Sequence, residues 1–345
     1  MSTSRSLVGW VAVVGSVLFL TPVVGCGKKD KAESSEKSEK ATKDDEGKKK
    51  SKSDEKYATG DVFKYVPSSC KGARVYVNLG LFLKNEAVEK SAEALEDKLS
   101  TGMKKKDSKA MGKALKSLKK SGIDPARDIK EIAVCGDASL DEFTIAIGGN
   151  FAGKDPIKAI AKATEEAGEK ELEEKETDGV QYVKDGKDYV GAVAPNVLVV
   201  TRSKAKFADL KTGEGKDTDW DVAKGRIISF KFASKKDGKF SGTITENGDD
   251  LDLKVTADFA GDTGDKIEGD PKAFKKGFDM QKEALEDKLK KGPFKKIADD
   301  IGNAKVKVDG SKVTVTLTVP AKDLGDAITK AAEMSEDELE GAVDL

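Results

Sequence analysis

The sequence predicts an α+β fold made of two related modules, each an antiparallel sheet with helices packed on it. Three observations predict it. Segments of alternating apolar and polar residues recur along the chain, and that alternation marks a strand buried on one face. Asp-Gly and Asn-Gly pairs stand between neighbouring strands, where two-residue hairpin turns need a residue that accepts positive φ. Finally, the heptapeptide Glu93-Ala-Leu-Glu-Asp-Lys-Leu99 recurs unchanged as Glu283-Ala-Leu-Glu-Asp-Lys-Leu289, which points to a duplicated unit.

In chain order, the first 25 residues read as a signal peptide. Arg5 precedes an apolar run from Leu7 to Leu20, and small residues close it. The closing residues Val23-Val24-Gly25-Cys26 resemble the lipobox of bacterial lipoproteins. In that family the chain is cut before the cysteine, whose sulfur and new amino group are then acylated. The resemblance therefore implies cleavage after Gly25 and a lipidated Cys26. An uncut anchor is the alternative, because the run is just long enough to cross a bilayer. Pro22 and Gly25 oppose it, being poor residues for a closing helical turn. Gly27 stands where the inner-membrane retention signal of enteric lipoproteins is Asp, so the resemblance implies the outer membrane in a host that has one.

Residues 26–56 follow as the lipidated Cys and a charged tether. From Lys28 to Lys56 there is no aromatic or branched aliphatic residue, so the segment cannot bury enough surface to offset its ordering entropy and is expected to stay disordered.

Two modules are expected, 57–215 and 216–345. In the first, Ala73 to Leu79 alternates as a strand, and a helix over about 85–100 carries Val88, Ala92, Leu95 and Leu99 at helical spacing. A second helix over about 104–120 puts Met111, Ala114, Leu115 and Leu118 on one side and lysines on the other, and Ser121-Gly122 ends it. Strands follow over 130–134 and 143–147, then a helix from Asp155-Pro156 to about 170. A hairpin turns at Asp185-Gly186, and a buried strand runs over 197–200. A Gly- and Asp-rich crossing over 212–224 marks the module boundary. Beyond it, three strands join at Asp237-Gly238 and Asn247-Gly248, and helices begin at Pro271 and after Pro293. A hairpin about Asp309-Gly310 precedes the last helix, expected from Asp323 to about Met334. The second element of the repeat is there: Lys154, Asp155, Ala159, Ile160, Lys162, Ala163 and Glu165 return in register as Lys322, Asp323, Ala327, Ile328, Lys330, Ala331 and Glu333.

Composition excludes several chemistries. Among 345 residues there is no His, which removes Ser-His-Asp and Cys-His catalysis and every His-ligated metal centre. Charged residues make up 36% of the chain yet nearly cancel at net -1, so a nucleic-acid partner is not expected. Of three cysteines, lipidation takes Cys26 and leaves Cys70 and Cys135. In an exported protein such a pair favours a disulfide over two buried thiols.

Other candidates are weak. Gly148-Gly-Asn-Phe-Ala-Gly153-Lys154 follows a strand and precedes a helix, as a phosphate-binding P-loop does, but Asp155 replaces the required Ser or Thr and would repel phosphate. The acids from Asp258 to Asp270 lack the spacing of a calcium loop and read as a solvated turn. Lys105, Lys109, Lys113, Lys116 and Lys120 form a helix face suited to anionic lipid or a cell-wall polymer, against the plainer reading of a solvated face. The stretch from Val66-Pro67 to Val77 and the segment Ile123-Asp-Pro125 resemble uncharacterised bacterial envelope proteins, a resemblance that implies no function. No catalytic, metal or cofactor site is expected. The leading expectation is an exported, lipid-anchored envelope protein with a non-enzymatic binding or structural role, held to the membrane through its N-terminal lipid. A carrier for an acyl chain or lipoprotein is the first alternative. A carboxylate-based hydrolase is the second.

Overall fold

The computed structural model describes residues 61–67, 72–84, 88–91, 106–136, 142–168, 170, 172–203, 206–211, 225–234, 238–290 and 294–334. Among the described residues there are twelve strands, all but β4 where the sequence predicts one: β1 (Ala73–Asn78), β2 (Ile129–Gly136), β3 (Phe143–Gly149), β4 (Glu174–Thr177), β5 (Val180–Asp185), β6 (Asp188–Ala194), β7 (Val197–Thr201), β8 (Arg226–Ser234), β9 (Gly238–Asn247), β10 (Asp250–Phe259), β11 (Lys305–Asp309) and β12 (Lys312–Pro320). They form one antiparallel sheet in the order β11-β12-β10-β9-β8-β1-β2-β3-β7-β6-β5-β4. The fold is thus a mixture of helices and antiparallel sheet, and the sheet runs unbroken through the β1–β8 pair, where Arg74 faces Lys231 and Val77 faces Ile228.

The helices are α1 (Leu79–Phe82), α2 (Lys106–Lys120), α3 (Pro125–Asp128), α4 (Pro156–Glu166), α5 (Lys206–Lys211), α6 (Gly261–Gly269), α7 (Pro271–Leu289), α8 (Lys295–Gly302) and α9 (Ala321–Glu333), with a 3₁₀ turn at Asp61–Tyr65. Residues 88–91 are helical, and the rest of the helix expected up to about residue 100 lies outside the described residues. The acidic stretch expected as a solvated loop is instead helix α6 over most of its length. Gly264 and Ile267 are buried there, and Gly264 sits so close to the Phe259 carbonyl that a Cβ would meet it at 2.6 Å. At α4 Asp155 caps the helix, its Oδ1 accepting from the Lys158 amide at 3.0 Å. Its counterpart Asp323 is no cap. Helix α9 starts two residues earlier, after Pro320, and Asp323 lies in its first turn.

Because side chains alternate along each strand, the sheet has two faces with different fates. One face carries Val77, Ile132, Ile145, Ile147, Leu198 and Val200, which are buried with Ile157, Ala159 and Ala161 of α4 in the largest core cluster. Helix α2 packs on α4 from outside, with Ala114 and Leu115 buried. The opposite face, over β1 to β7, carries Tyr76, Ala133, Cys135, Ala146 and Val199. The 3₁₀ turn and α5 cover it with Val62, Val66, Phe207 and Leu210, forming a second core.

Over β8 to β12 the covering changes. Helices α7, α8 and α9 pack on one another through Leu289, Phe294, Ala298 and Ala327, a cluster with no strand residue among its buried members. Beneath them Leu253, Val255, Val315 and Leu317 are only half-buried. A tie to the first half comes from Ser91, whose Oγ donates to the Gly325 carbonyl at 2.7 Å and lies 2.9 Å from Thr329 Oγ1 on α9.

Candidate functional site

The candidate site is the polar face of β8 to β10, continued onto the start of β1. Alternation puts a hydroxyl or charge at every second residue of these strands, and the register aligns them into rungs. Thr314, Thr256, Ser241, Lys231 and Arg74 form one rung across β12, β10, β9, β8 and β1. Thr316, Lys254, Thr243, Ser229 and Tyr76 form the next. Thr318, Asp252, Thr245 and Arg226 form the third.

Twelve residues of these strands line a cleft of about 580 Å³. Among the described lining residues four are cationic, Arg74, Arg226, Lys231 and Lys254, and one is acidic, Asp252. Hydrogen bonds fix the acidic end: Thr318 Oγ1 donates to Asp252 Oδ1 at 2.6 Å, and Asn247 Nδ2 donates to Asp252 Oδ2 at 2.9 Å. At the same end Arg226 Nη1 donates to Thr245 Oγ1 at 2.8 Å. Such a surface can hold an anion through charge-assisted hydrogen bonds.

Buried polarity lies elsewhere on this face. Tyr76 and Glu131 are each 1% exposed, and the Tyr76 hydroxyl donates to Glu131 Oε1 at 2.9 Å. Burial, followed by the charge of Glu131 and this hydrogen bond, raises the Tyr76 phenol well above its ordinary pKa. The acids of the second half gather near α8 and α9. Asp300 is held above the usual carboxylate range, first by burial and then by Asp323, Asp299 and Asp250. Lys296 bridges Asp323 at 3.3 Å and Asp326 at 2.7 Å, and its hydrogen bond lowers Asp326. Among the described residues no group of three or more His, Cys, Asp and Glu side chains is placed to hold a metal.

The residues singled out by sequence fall in separate places. Cys26, Cys70 and Lys105 lie outside the described residues. Cys135 is buried on β2, in register with Arg74 of β1. Lys109 lies on α2, its side chain outside those described, and Lys113, Lys116 and Lys120 are exposed on the same helix, in the layer that covers the apolar face. The P-loop-like segment is occupied by its own structure. Lys154 Nζ lies 2.5 Å from Asp128 Oδ2, Phe151 is buried at 2% exposure, and the Ala152 amide donates to Asn196 Oδ1. Among the described residues, no helix is long and apolar enough to cross a membrane.

Sequence reasoning missed the polar cleft, although half of its signal was present. Ser241-Gly-Thr243-Ile-Thr245 and Thr314-Val-Thr316-Leu-Thr318 each put hydroxyls at every second position. That pattern fixes a polar face on each strand, but the register that stacks the strands into one lattice is set by distant segments of chain.

No family model matches the chain, and no curated protein matches it. Among solved structures, crystal form III of TP0453 is similar at a TM-score of 0.45 and 12% identity, covering 77% of this chain and 97% of that one. Crystal form I of TP0453 gives 0.42 at 12% identity over 79% and 98%, and crystal form IV gives 0.42 at 11% identity over 77% and 96%. At this level of likeness no property of TP0453 extends to this chain.

Proposed function

We propose that this protein is an exported envelope protein, anchored by lipid at Cys26, whose folded part binds a ligand and catalyses nothing. The observation that carries the binding role is the incomplete cover at the middle of β10 and β12, between the buried Leu251 and Val313. Leu253, Val255, Val315 and Leu317 stay half-buried under helices that pack on one another, whereas Ile145, Ile147, Leu198 and Val200 of the first half are buried. Apolar surface left half-open is costly in water, so a surface of this kind is retained where a partner covers it. The same observation favours the carrier reading, with an acyl chain lying between sheet and helices. A hydrolase finds less support, since Asp323 and Asp326 are paired with Lys296 and no described contact joins Asp300 to a base.

Duplication is part of this reading. In each half three successive strands are neighbours in the sheet, β1-β2-β3 or β8-β9-β10, and a later strand, β7 or β12, pairs with the third, although the first half inserts helices α1, α2 and α3 between β1 and β2. The antiparallel β1–β8 pair then relates the halves about a local two-fold. A Cys70–Cys135 bridge also belongs to it: Cys135 is in register with Arg74, which follows Cys70 by four residues, and export permits the oxidised form.

Two measurements test the function. The mass of the N-terminal peptide from membranes is expected to show a diacyl or triacyl Cys26, absent in Cys26→Ala, and an unprocessed Met1 would refute the anchor. Organic extraction of the purified full chain is expected to release acyl-bearing lipid, reduced in Leu253→Asn/Leu317→Asn. Equal yields from both proteins would refute the apolar site.

A further inference from the structure

Among the described residues β4 closes one end of the sheet and β11 the other, each hydrogen-bonded to a strand on one side. The outer side of an end strand presents amides and carbonyls on which a further strand can pair. Symmetry limits how a copy of the same strand can do so. Two copies pair antiparallel in one continuous sheet only about a two-fold perpendicular to it, which leaves each face of the sheet on its own side. Side chains alternate between faces, so residues opposite one another must be an even number of positions apart in sequence. The axis therefore passes beside a residue that faces its own copy, and the choice of that residue fixes every other pair.

At β4 every choice opposes like charges. An axis at Glu174 or Glu176 sets that acid against its copy, one at Lys175 sets lysine against lysine and Glu174 against Glu176, and one at Thr177 sets Glu176 against Asp178. At β11 an axis at Lys305, Lys307 or Asp309 sets that charge against its copy, and one at Val306 sets Lys305 against Lys307. The axis at Val308 alone has no such conflict. There the half-buried Val308 meets its copy on the face that carries Val313 and Val315, Val306 faces Gly310 and Lys305 faces Ser311. The exposed Lys307 and Asp309 oppose each other twice, once on each side of the axis. We infer that β11 is a self-association edge, on which a second copy of this chain pairs β11 with β11 about a two-fold at Val308 and joins the two sheets into one. The inference goes beyond the anchored-binding reading and uses neither the lipid nor the half-open apolar face.

A strand pair of this length buries less than the ~1,000 Å² of a stable interface, so association is expected to be weak. The test is sedimentation equilibrium of the full chain in density-matched detergent, at protein concentrations up to about 1 mM, where even an association of roughly 4 kcal/mol populates the dimer. Wild type is expected to approach twice the monomer mass. Lys307→Glu and Asp309→Lys each turn both ion pairs into repulsions and are expected to weaken association about tenfold or more, whereas Lys175→Glu on β4 is expected to match wild type. Mixing Lys307→Glu with Asp309→Lys restores both pairs across the axis and is expected to recover the dimer, which a folding defect in either chain would not do. Should Asp309→Lys, which faces Lys312 in its own hairpin, fail to fold, Lys307→Glu against Lys175→Glu still decides. A monomeric wild type, a dimer that Lys307→Glu leaves unchanged, equal loss in Lys307→Glu and Lys175→Glu, or no recovery on mixing two folded variants overturns the inference.

Discussion

Removing one oxygen atom tests the buried pair on the covered part of the polar face. In Tyr76→Phe the ring stays, together with its packing on Phe63 at 4.9 Å between centroids, so no cavity opens. What is lost is a 2.9 Å hydrogen bond to a carboxylate that is 1% exposed. A hydrogen bond to a charged group contributes about 1.5–3 kcal/mol, and the variant is expected to lose that much at pH 7. The pH dependence is the sharper readout. Burial and Glu131 raise the folded phenol, so the native state keeps a proton that the unfolded chain gives up above about pH 10. The stabilisation is therefore complete below pH 10 and falls as pH rises beyond it, by at most about 1.4 kcal/mol per unit. Urea unfolding of wild type and variant between pH 7 and 11 reads both effects, and the difference between the two proteins removes the titration of other tyrosines and lysines. A gap that is near zero at pH 7, or that stays constant through pH 11, would refute the reasoning.

Two further outcomes follow from packing and charge. A Cβ at Gly191 would meet the Phe207 ring at 2.7 Å, and Phe207 is fully buried. Gly191→Ala is therefore expected to cost about 1–3 kcal/mol and Phe207→Ala about 3–5. In a urea double-mutant cycle the pair is expected to cost at least ~1 kcal/mol less than the sum, because the truncated ring vacates the space that the new methyl needs. Asp300 carries a raised carboxyl, so its ionisation opposes folding as pH rises through its folded pKa. Asp300→Asn is expected to have a higher urea midpoint than wild type at pH 7, and the advantage should vanish near pH 3, where both forms are neutral.

Local chemistry made much of the fold legible. The turns at Asp185-Gly186, Asn247-Gly248 and Asp309-Gly310 all join paired strands, with φ of 58°, 65° and 59° at the glycines. Helices α2, α4 and α7 lie where their apolar spacing and Pro starts put them. Strand β4 was missed because Glu174 to Thr177 is entirely polar, which an exposed edge strand permits and an alternation test cannot see. Helix α6 was missed because Gly and Asp are poor helix formers, and its place is set by the burial of Gly264 and Ile267 against β10. For the candidate site, each strand's polar face could be read locally. The meeting of Arg74 with Lys231 could not, since it depends on a pairing between the first strand of one half and the first of the other.

That pairing governs the order in which the molecule can be assembled. As the chain is made, β1 has one long side to offer β2 and another that finds no mate until Arg226–Ser234 has been added. Until then the leading half carries a bare row of amides and carbonyls, the kind of margin on which stray chains polymerise. Completion is thus delayed by distance along the polypeptide, and slow closure of this sort is expected to make refolding yield fall as protein concentration rises.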